Sequence, residues 1–126
     1  MFLEIKNTTI GYQKPLISEV NASLDFGDVC LLIGNNGVGK TTLIKSILNQ
    51  ISLLQGDILI NKKNVIKLTD KEIAEQIAVV FAKSQIPANY TTEDLISLGK
   101  FIHLPFYYQL ENEDIEHVNS IISQLK

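Results

Sequence analysis

Cysteine is almost missing from this sequence: Cys30 is the only one, so no internal disulfide can form. It stands inside an apolar run, where a free thiol behaves as a small buried hydrophobe, and the pattern is that expected of a reducing, intracellular protein. Long apolar stretches are missing too. No run approaches the ~18 residues that would cross a bilayer, so the chain is not expected to span a membrane, although a membrane-embedded partner stays compatible with it. The opening residues, Met1-Phe2-Leu3-Glu4-Ile5-Lys6, lack a basic leader followed by a long apolar core and are not expected to act as a signal peptide. A large excess of one charge sign is missing, with 11 basic against 14 acidic residues. A net charge of −3 with no basic arm argues against nucleic acid as a partner. It leaves nucleotide open, because local groups suffice to bind phosphate. Internal repeats and low-complexity segments are absent. The 126 residues, 45% hydrophobic and 20% charged, amount to at most one globular domain.

What the sequence does contain is Gly34-Asn35-Asn36-Gly37-Val38-Gly39-Lys40-Thr41-Thr42, which fits the phosphate-binding P-loop pattern G-x-x-x-x-G-K-[ST]. Gly34, Gly37 and Gly39 let the backbone turn tightly and approach a phosphate with no Cβ in the way. Successive N–H groups of Asn35, Asn36, Gly37, Val38 and Gly39 then point inward as an anion nest. Lys40 brings a full positive charge to the β- and γ-phosphates. The Thr41 hydroxyl is placed to ligate Mg²⁺, and Thr42 can bond another phosphate oxygen where the following helix begins. The flanks suit the motif. Val29-Cys30-Leu31-Leu32-Ile33 reads as a strand covered on both faces. Thr41 to Asn49 carries Leu43, Ile44, Ile47 and Leu48 at helical spacing.

Ahead of the P-loop, Leu3 to Ile10 reads as a strand that Gly11 breaks, followed by Tyr12 and a turn at Gln13-Lys14-Pro15. Val20, Ala22, Leu24 and Phe26 alternate with polar residues, as in a strand with one wet face, and Gly27-Asp28 signals a tight hairpin into the P-loop strand. Downstream, Asp57 to Ile60 is a short strand and Asn61 to Asn64 a polar turn. Thr69-Asp70-Lys71-Glu72 fits a capping box. Ile77 to Phe81 reads as another buried strand, and Ala82 to Tyr90, with Pro87, as a loop. Thr92 is expected to cap a helix that Gly99 can end. Phe101 to Tyr108 is apolar and aromatic. A last helix begins at Asn112 or Asp114, with Ile115, Val118, Ile121, Ile122 and Leu125 on one face. The fold expected is α/β: a P-loop NTPase core with an antiparallel β segment before the P-loop strand. His103 and His117 read as structural.

With these elements in place, the chain resembles the nucleotide-binding subunit of an ABC transporter. The resemblance runs over residues 1–126 and covers the N-terminal portion of such a domain. It implies that Tyr12 stacks on adenine, a flat π face being suited to a base. Gly56-Asp57-Ile58-Leu59-Ile60 resembles the family's G-x-I-x-[IV] strand, and Ile77-Ala78-Val79-Val80 the strand entering the Q-loop. Thr91-Thr92-Glu93-Asp94-Leu95-Ile96-Ser97-Leu98-Gly99-Lys100 resembles T-V-x-D-L-V-x-L-G-R, the form of importers for iron-siderophore, haem and vitamin B12; Phe101-Ile102-His103-Leu104 has Ile where those have Pro.

The resemblance also implies an ATP-hydrolysing motor. Two copies of the subunit would sandwich ATP, with Mg²⁺ and Lys40 balancing charge as water attacks the γ-phosphate. Integral-membrane permease subunits would dock on the Ala82–Tyr108 region, whose aromatics Tyr90, Phe101, Phe106, Tyr107 and Tyr108 suit either an interface or a core. The subunit would then lie in the cytoplasm, peripheral on the inner face of the cell membrane. Two departures stand out. The 126 residues contain no LSGGQ-type signature, no Walker B Asp with its catalytic Glu and no switch His. An ungapped match also puts Ala82 where the family has the Q-loop Gln, with Lys83, Ser84 and Gln85 following. The alternatives are a soluble, non-transport ABC ATPase and a non-catalytic nucleotide-binding module.

Overall fold

The structure, a computed structural model, describes residues 1–82, 86, 88–105 and 109–125. The chain forms two compact units, Met1–Ile73 and Ala74–Lys126.

The first unit is built on a four-stranded antiparallel sheet in the order β2-β1-β3-β4. Its strands are β1 (Leu3–Gly11), β2 (Pro15–Leu24), β3 (Gln55–Ile60) and β4 (Lys63–Asn64). β1 is the spine, paired on one edge with β2 and on the other with β3. Leu3 lies opposite Ile60 and Ile5 opposite Ile58. Strand side chains alternate between faces, so these four share one face, and all four are buried. A helix, α1 (Lys40–Ile47), packs against β1 and buries Leu43 and Ser46. The β3–β4 hairpin turns on Asn61 and Lys62, whose φ values of 47° and 66° are those of a two-residue turn matched to strand twist. A 3₁₀ turn follows at Val65–Lys67, with Val65 fully buried and the Asn64 side chain accepting from Ile66 N at 3.1 Å. Helix α2 (Asp70–Ala74) begins at the expected capping box: Thr69 N donates to Glu72 Oε2 at 2.8 Å, and Glu72 N donates to Thr69 Oγ1 at 3.2 Å.

The β1–β3 ladder contains a bulge. Lys6 pairs with Asp57 and Thr9 with Gln55, so Asn7 and Thr8 together oppose Gly56. Asn7 takes a φ of 44° and Gly56 one of 82°. The buried Thr8 hydroxyl donates to Asp57 O at 3.0 Å and Lys6 O at 3.1 Å, which satisfies carbonyls at the interruption. A Cβ on Gly56 would collide with the Lys6 and Asn7 carbonyls. The glycine is therefore required both by its dihedral and by the approach of β1.

Two predicted strands do not form. Val29–Ile33 takes no strand pairing and is exposed, Val29 to 98%; Cys30, expected to be buried, is exposed with it. Ile77–Phe81 likewise forms no strand, with Val80 96% exposed. Apolar side chains alone do not make a strand; a central strand needs a ladder partner on each edge, and no described segment pairs with either run. Phe26 lies beyond β2 and, though largely exposed, rests its ring on Phe2 at 4.9 Å between centroids.

The second unit pairs helix α3 (Thr92–Phe101) with helix α4 (Asn112–Gln124). Lys100 Nζ reaches Asp114 Oδ1 at 3.3 Å between them, and Val118 and Ser97 are buried. The cap of α3 is Thr91 rather than Thr92: its hydroxyl accepts from Asp94 N at 3.1 Å, while Asp94 Oδ2 accepts from Thr91 N at 2.8 Å. Asp94 supplies the carboxylate three residues on, which fixes the register of the cap. Gly99 does not end α3 but lies within it. Of the predicted α4 face, Val118 is buried, Ile121 and Ile122 are half-buried, and Ile115 and Leu125 are exposed. His117 is exposed on α4 and His103 is exposed after α3. Lys83, Ser84, Gln85, Pro87, Phe106, Tyr107 and Tyr108, named in the sequence reading, lie outside the described residues.

Two measurements follow from this architecture. Gly56→Ala should destabilise the chain by ~1–3 kcal/mol or more in urea denaturation, because a positive φ and two carbonyls both oppose the methyl group. Gly99→Ala, in open helix, should stabilise it by roughly 0.5–1 kcal/mol. Equal effects would contradict the bulge geometry.

The caps also predict an acid response. Hydrogen bonds from the Thr91 hydroxyl and backbone hold the Asp94 carboxyl below its ordinary value of 3.8. Those from the Thr69 backbone and hydroxyl hold Glu72 below 4.5. A depressed carboxylate contributes stability above its unfolded value and loses it as pH falls through the folded one. The acid limb of the stability curve should therefore flatten below those ordinary values in Thr69→Ala and Thr91→Ala. An unchanged acid limb in both variants would show that the caps contribute nothing to it.

Candidate nucleotide-binding site

The loop before α1 turns because its glycines take conformations closed to other residues. Gly37 has a φ of 83° and Gly39 one of 111°. Gly39 is the N-cap of α1, and no side chain caps the helix there. Leu43 N donates to Gly39 O at 2.8 Å, the first helical bond, so the earlier N–H groups have no intrahelical acceptor. Helix starts usually carry acidic residues, but α1 has none in its first turn and has Lys45 in its last. The positive end of the helix is thus left without a compensating carboxylate of its own.

Lys40 folds back over the loop. Its Nζ donates to Gly34 O at 2.6 Å and to Asn35 O at 2.7 Å. Such charge-assisted bonds are short and strong, and here they close a ring of backbone from Gly34 to Lys40. Val38 N donates to Asn35 O at 3.4 Å within the same curl. Asn35, Asn36, Gly37 and Val38 are exposed, Gly39 is buried, Thr41 is exposed and Thr42 is buried in the first turn of α1. The structure therefore brings Gly34 to Thr42 into one curl at a helix start.

Tyr12 lies outside that curl. It sits in the turn joining β1 to β2, 66% exposed, with its ring open to solvent. The hairpin that carries it also reaches the loop: a Cβ built on Gly39 would stand 2.9 Å from Ile17 Cδ1 and 3.1 Å from Ile17 Cγ1. The sequence reading missed Ile17. It lies before the alternating residues of β2, and nothing in the pattern marks it.

Among the described residues, no cluster of three or more His, Cys, Asp or Glu could hold a metal. At the loop the start of α1 offers one exposed hydroxyl, Thr41, beside the exposed Asn35 and Asn36 amides. That fits Mg²⁺, which is typically bound through few protein ligands together with phosphates and water. Ala82 has no side-chain oxygen to add. No helix among the described residues is long and apolar enough to cross a membrane.

Comparison with known proteins agrees with this geometry. The chain is 30% identical over 122 residues to a petrobactin import ATP-binding protein of Bacillus anthracis, covering 96% of this chain and 45% of that protein. It is 30% identical over 113 residues to an iron(3+)-hydroxamate import ATP-binding protein of Bacillus subtilis, covering 89% and 42% respectively. The chain thus spans just under half the length of these relatives. The solved structure of an ATP-binding subunit of an ABC transporter superposes with a TM-score of 0.74 at 26% identity, over 90% of this chain and 45% of that one. A dimeric ATP-binding cassette bound to ADP and Pi gives a TM-score of 0.77 at 19% identity, over 96% and 56%, a likeness of fold alone. Residues 17–126 match the ABC transporter family, and the chain belongs to it.

Proposed function

We propose that residues 1–126 are the N-terminal portion of a single ABC-type ATP-binding domain, and that they bind ATP through the curl at the head of α1. The observation that carries this reading is the Lys40 ammonium held inside a loop that turns on two left-handed glycines, ahead of a helix with no side-chain cap. In this reading the N–H groups of Asn35, Asn36, Gly37, Val38 and Gly39 cradle the β-phosphate. Lys40 exchanges its two loop carbonyls for β- and γ-phosphate oxygens, so the bonds it gives up are replaced rather than lost. Thr42 bonds a further phosphate oxygen, Thr41 offers its hydroxyl to Mg²⁺, and Tyr12 provides a face for adenine. Magnesium, when bound, would offset negative charge on the terminal phosphates.

The whole protein would then be the ATP-hydrolysing subunit of an importer, working as a pair of copies beneath integral-membrane permease subunits at the cytoplasmic face. Lys40 would stabilise the charge that develops on the γ-phosphate. Relatives described as import ATP-binding proteins for petrobactin and iron(3+)-hydroxamate support an iron-siderophore class of cargo, and haem and cobalamin belong to the same importer type by the resemblance above.

ATP titration of the chain with and without Lys40→Ala tests the site. Loss of a charge-assisted contact should weaken binding by ~1.5–3 kcal/mol, about tenfold to a hundredfold. Equal affinity would remove Lys40 from the site. Phosphate release tests the division of labour. The 126 residues carry no Walker B carboxylate and no signature, so they should bind ATP without sustained turnover; a rate of about 1 s⁻¹ would contradict the reading.

A further inference from the structure

The contact between Ile17 and Gly39 joins two parts of the site that the nucleotide reading treats separately. Gly39 is buried and ends the loop, while Ile17 is half-buried on β2. The Ile17 side chain fills the place where any other residue at 39 would put its Cβ, with Leu16 Cβ behind it at 3.7 Å. The hairpin beneath this contact stays paired to its end, through register shifts on either side of Ile10. Ile17 pairs with the fully buried Ile10, Gly11 pairs with Pro15, and Tyr12 sits in the turn between these pairs. Glu19 N adds a bond to Thr9 Oγ1 at 3.4 Å across the same strands.

The loop itself does not need Ile17 for its curl, which its glycine dihedrals and the two Lys40 bonds supply. What Ile17 supplies is spacing. We infer that Ile17 is a positioning residue that sets the Tyr12 hairpin at a fixed distance from the P-loop, so that one ligand can meet the aromatic face and the anion nest together. The inference rests on the nucleotide reading above. A ligand gripped at both ends benefits only while the two grips are held at the right separation. A spacer therefore matters to ATP and not to a bare phosphate chain.

The test compares ATP with inorganic tripolyphosphate on the wild type, Ile17→Ala, Tyr12→Ala, the double variant and Lys40→Ala, with urea midpoints recorded for each. Ile17→Ala should weaken ATP about tenfold, within the range that stacking a base on an aromatic ring contributes. It should leave tripolyphosphate within about twofold and have little further effect once Tyr12 is already Ala. Ile17→Val, which lacks Cδ1 but keeps the branch at Cβ, should fall between wild type and Ile17→Ala. It decides the question by the same criteria if Ile17→Ala fails to fold. An equal loss for ATP and tripolyphosphate, multiplying losses for Ile17→Ala and Tyr12→Ala, or no loss at all would overturn the inference. Lys40→Ala separates the two levels. If it weakens both ligands while Ile17→Ala changes neither, the spacer role alone falls. If it leaves ATP affinity unchanged, the nucleotide reading falls and the spacer role with it.

Discussion

The two bonds from the Lys40 ammonium to the carbonyls of Gly34 and Asn35 are the interaction on which the site depends. They hold a cation inside a backbone ring that would otherwise present carbonyl dipoles to one another. They are possible only because Gly37 and Gly39 take left-handed dihedrals, and Gly39 passes the chain directly into α1. A helix that begins this way has an uncompensated positive end beside a positive side chain. In isolation that is unfavourable electrostatics. An anion placed between the two would convert both terms to attraction, so this geometry favours an anion over a neutral ligand.

The antiparallel sheet carries this arrangement. β1 pairs on both edges, supports α1 on its buried side and carries Tyr12 just past its end. Its bulge opposite Gly56 does not tolerate a side chain there, because a backbone carbonyl of β1 stands where a methyl group would go. β2 in turn touches the loop through Ile17. The site is thus positioned from below by strands that come before it in the chain, while the catalytic parts of an ABC ATPase absent from these residues would have to come from elsewhere.

Local features were readable in the sequence and non-local ones were not. The P-loop, the helix after it, β1, β3 and the Thr69–Glu72 cap are written in neighbouring residues: glycine spacing, alternation, and an acid three positions beyond a threonine. The cap of α3 reads one residue late in the sequence because Thr91 and Thr92 are adjacent, and only the partner acid, Asp94, distinguishes them. Gly99 reads as a stop, yet α3 continues through it to Phe101, since one glycine in an exposed helix costs only about 1 kcal/mol. Val29–Ile33 and Ile77–Phe81 have the composition of buried strands, but composition states only what a segment could do when given neighbours. Among the described residues neither has them. Ile17 was invisible for a related reason: its importance lies in a contact with a glycine distant in sequence, and neither residue's type announces it.

Residue-resolved amide shifts on addition of ATP and Mg²⁺ test the central claim most directly. The account predicts that the amides from Asn35 to Thr42 move together, most strongly at Gly39, Lys40 and Thr41, as loop carbonyls lose the Lys40 ammonium and the open N–H groups gain phosphate oxygens. Saturating ATP that shifts amides elsewhere and leaves Gly39, Lys40 and Thr41 in place would contradict it.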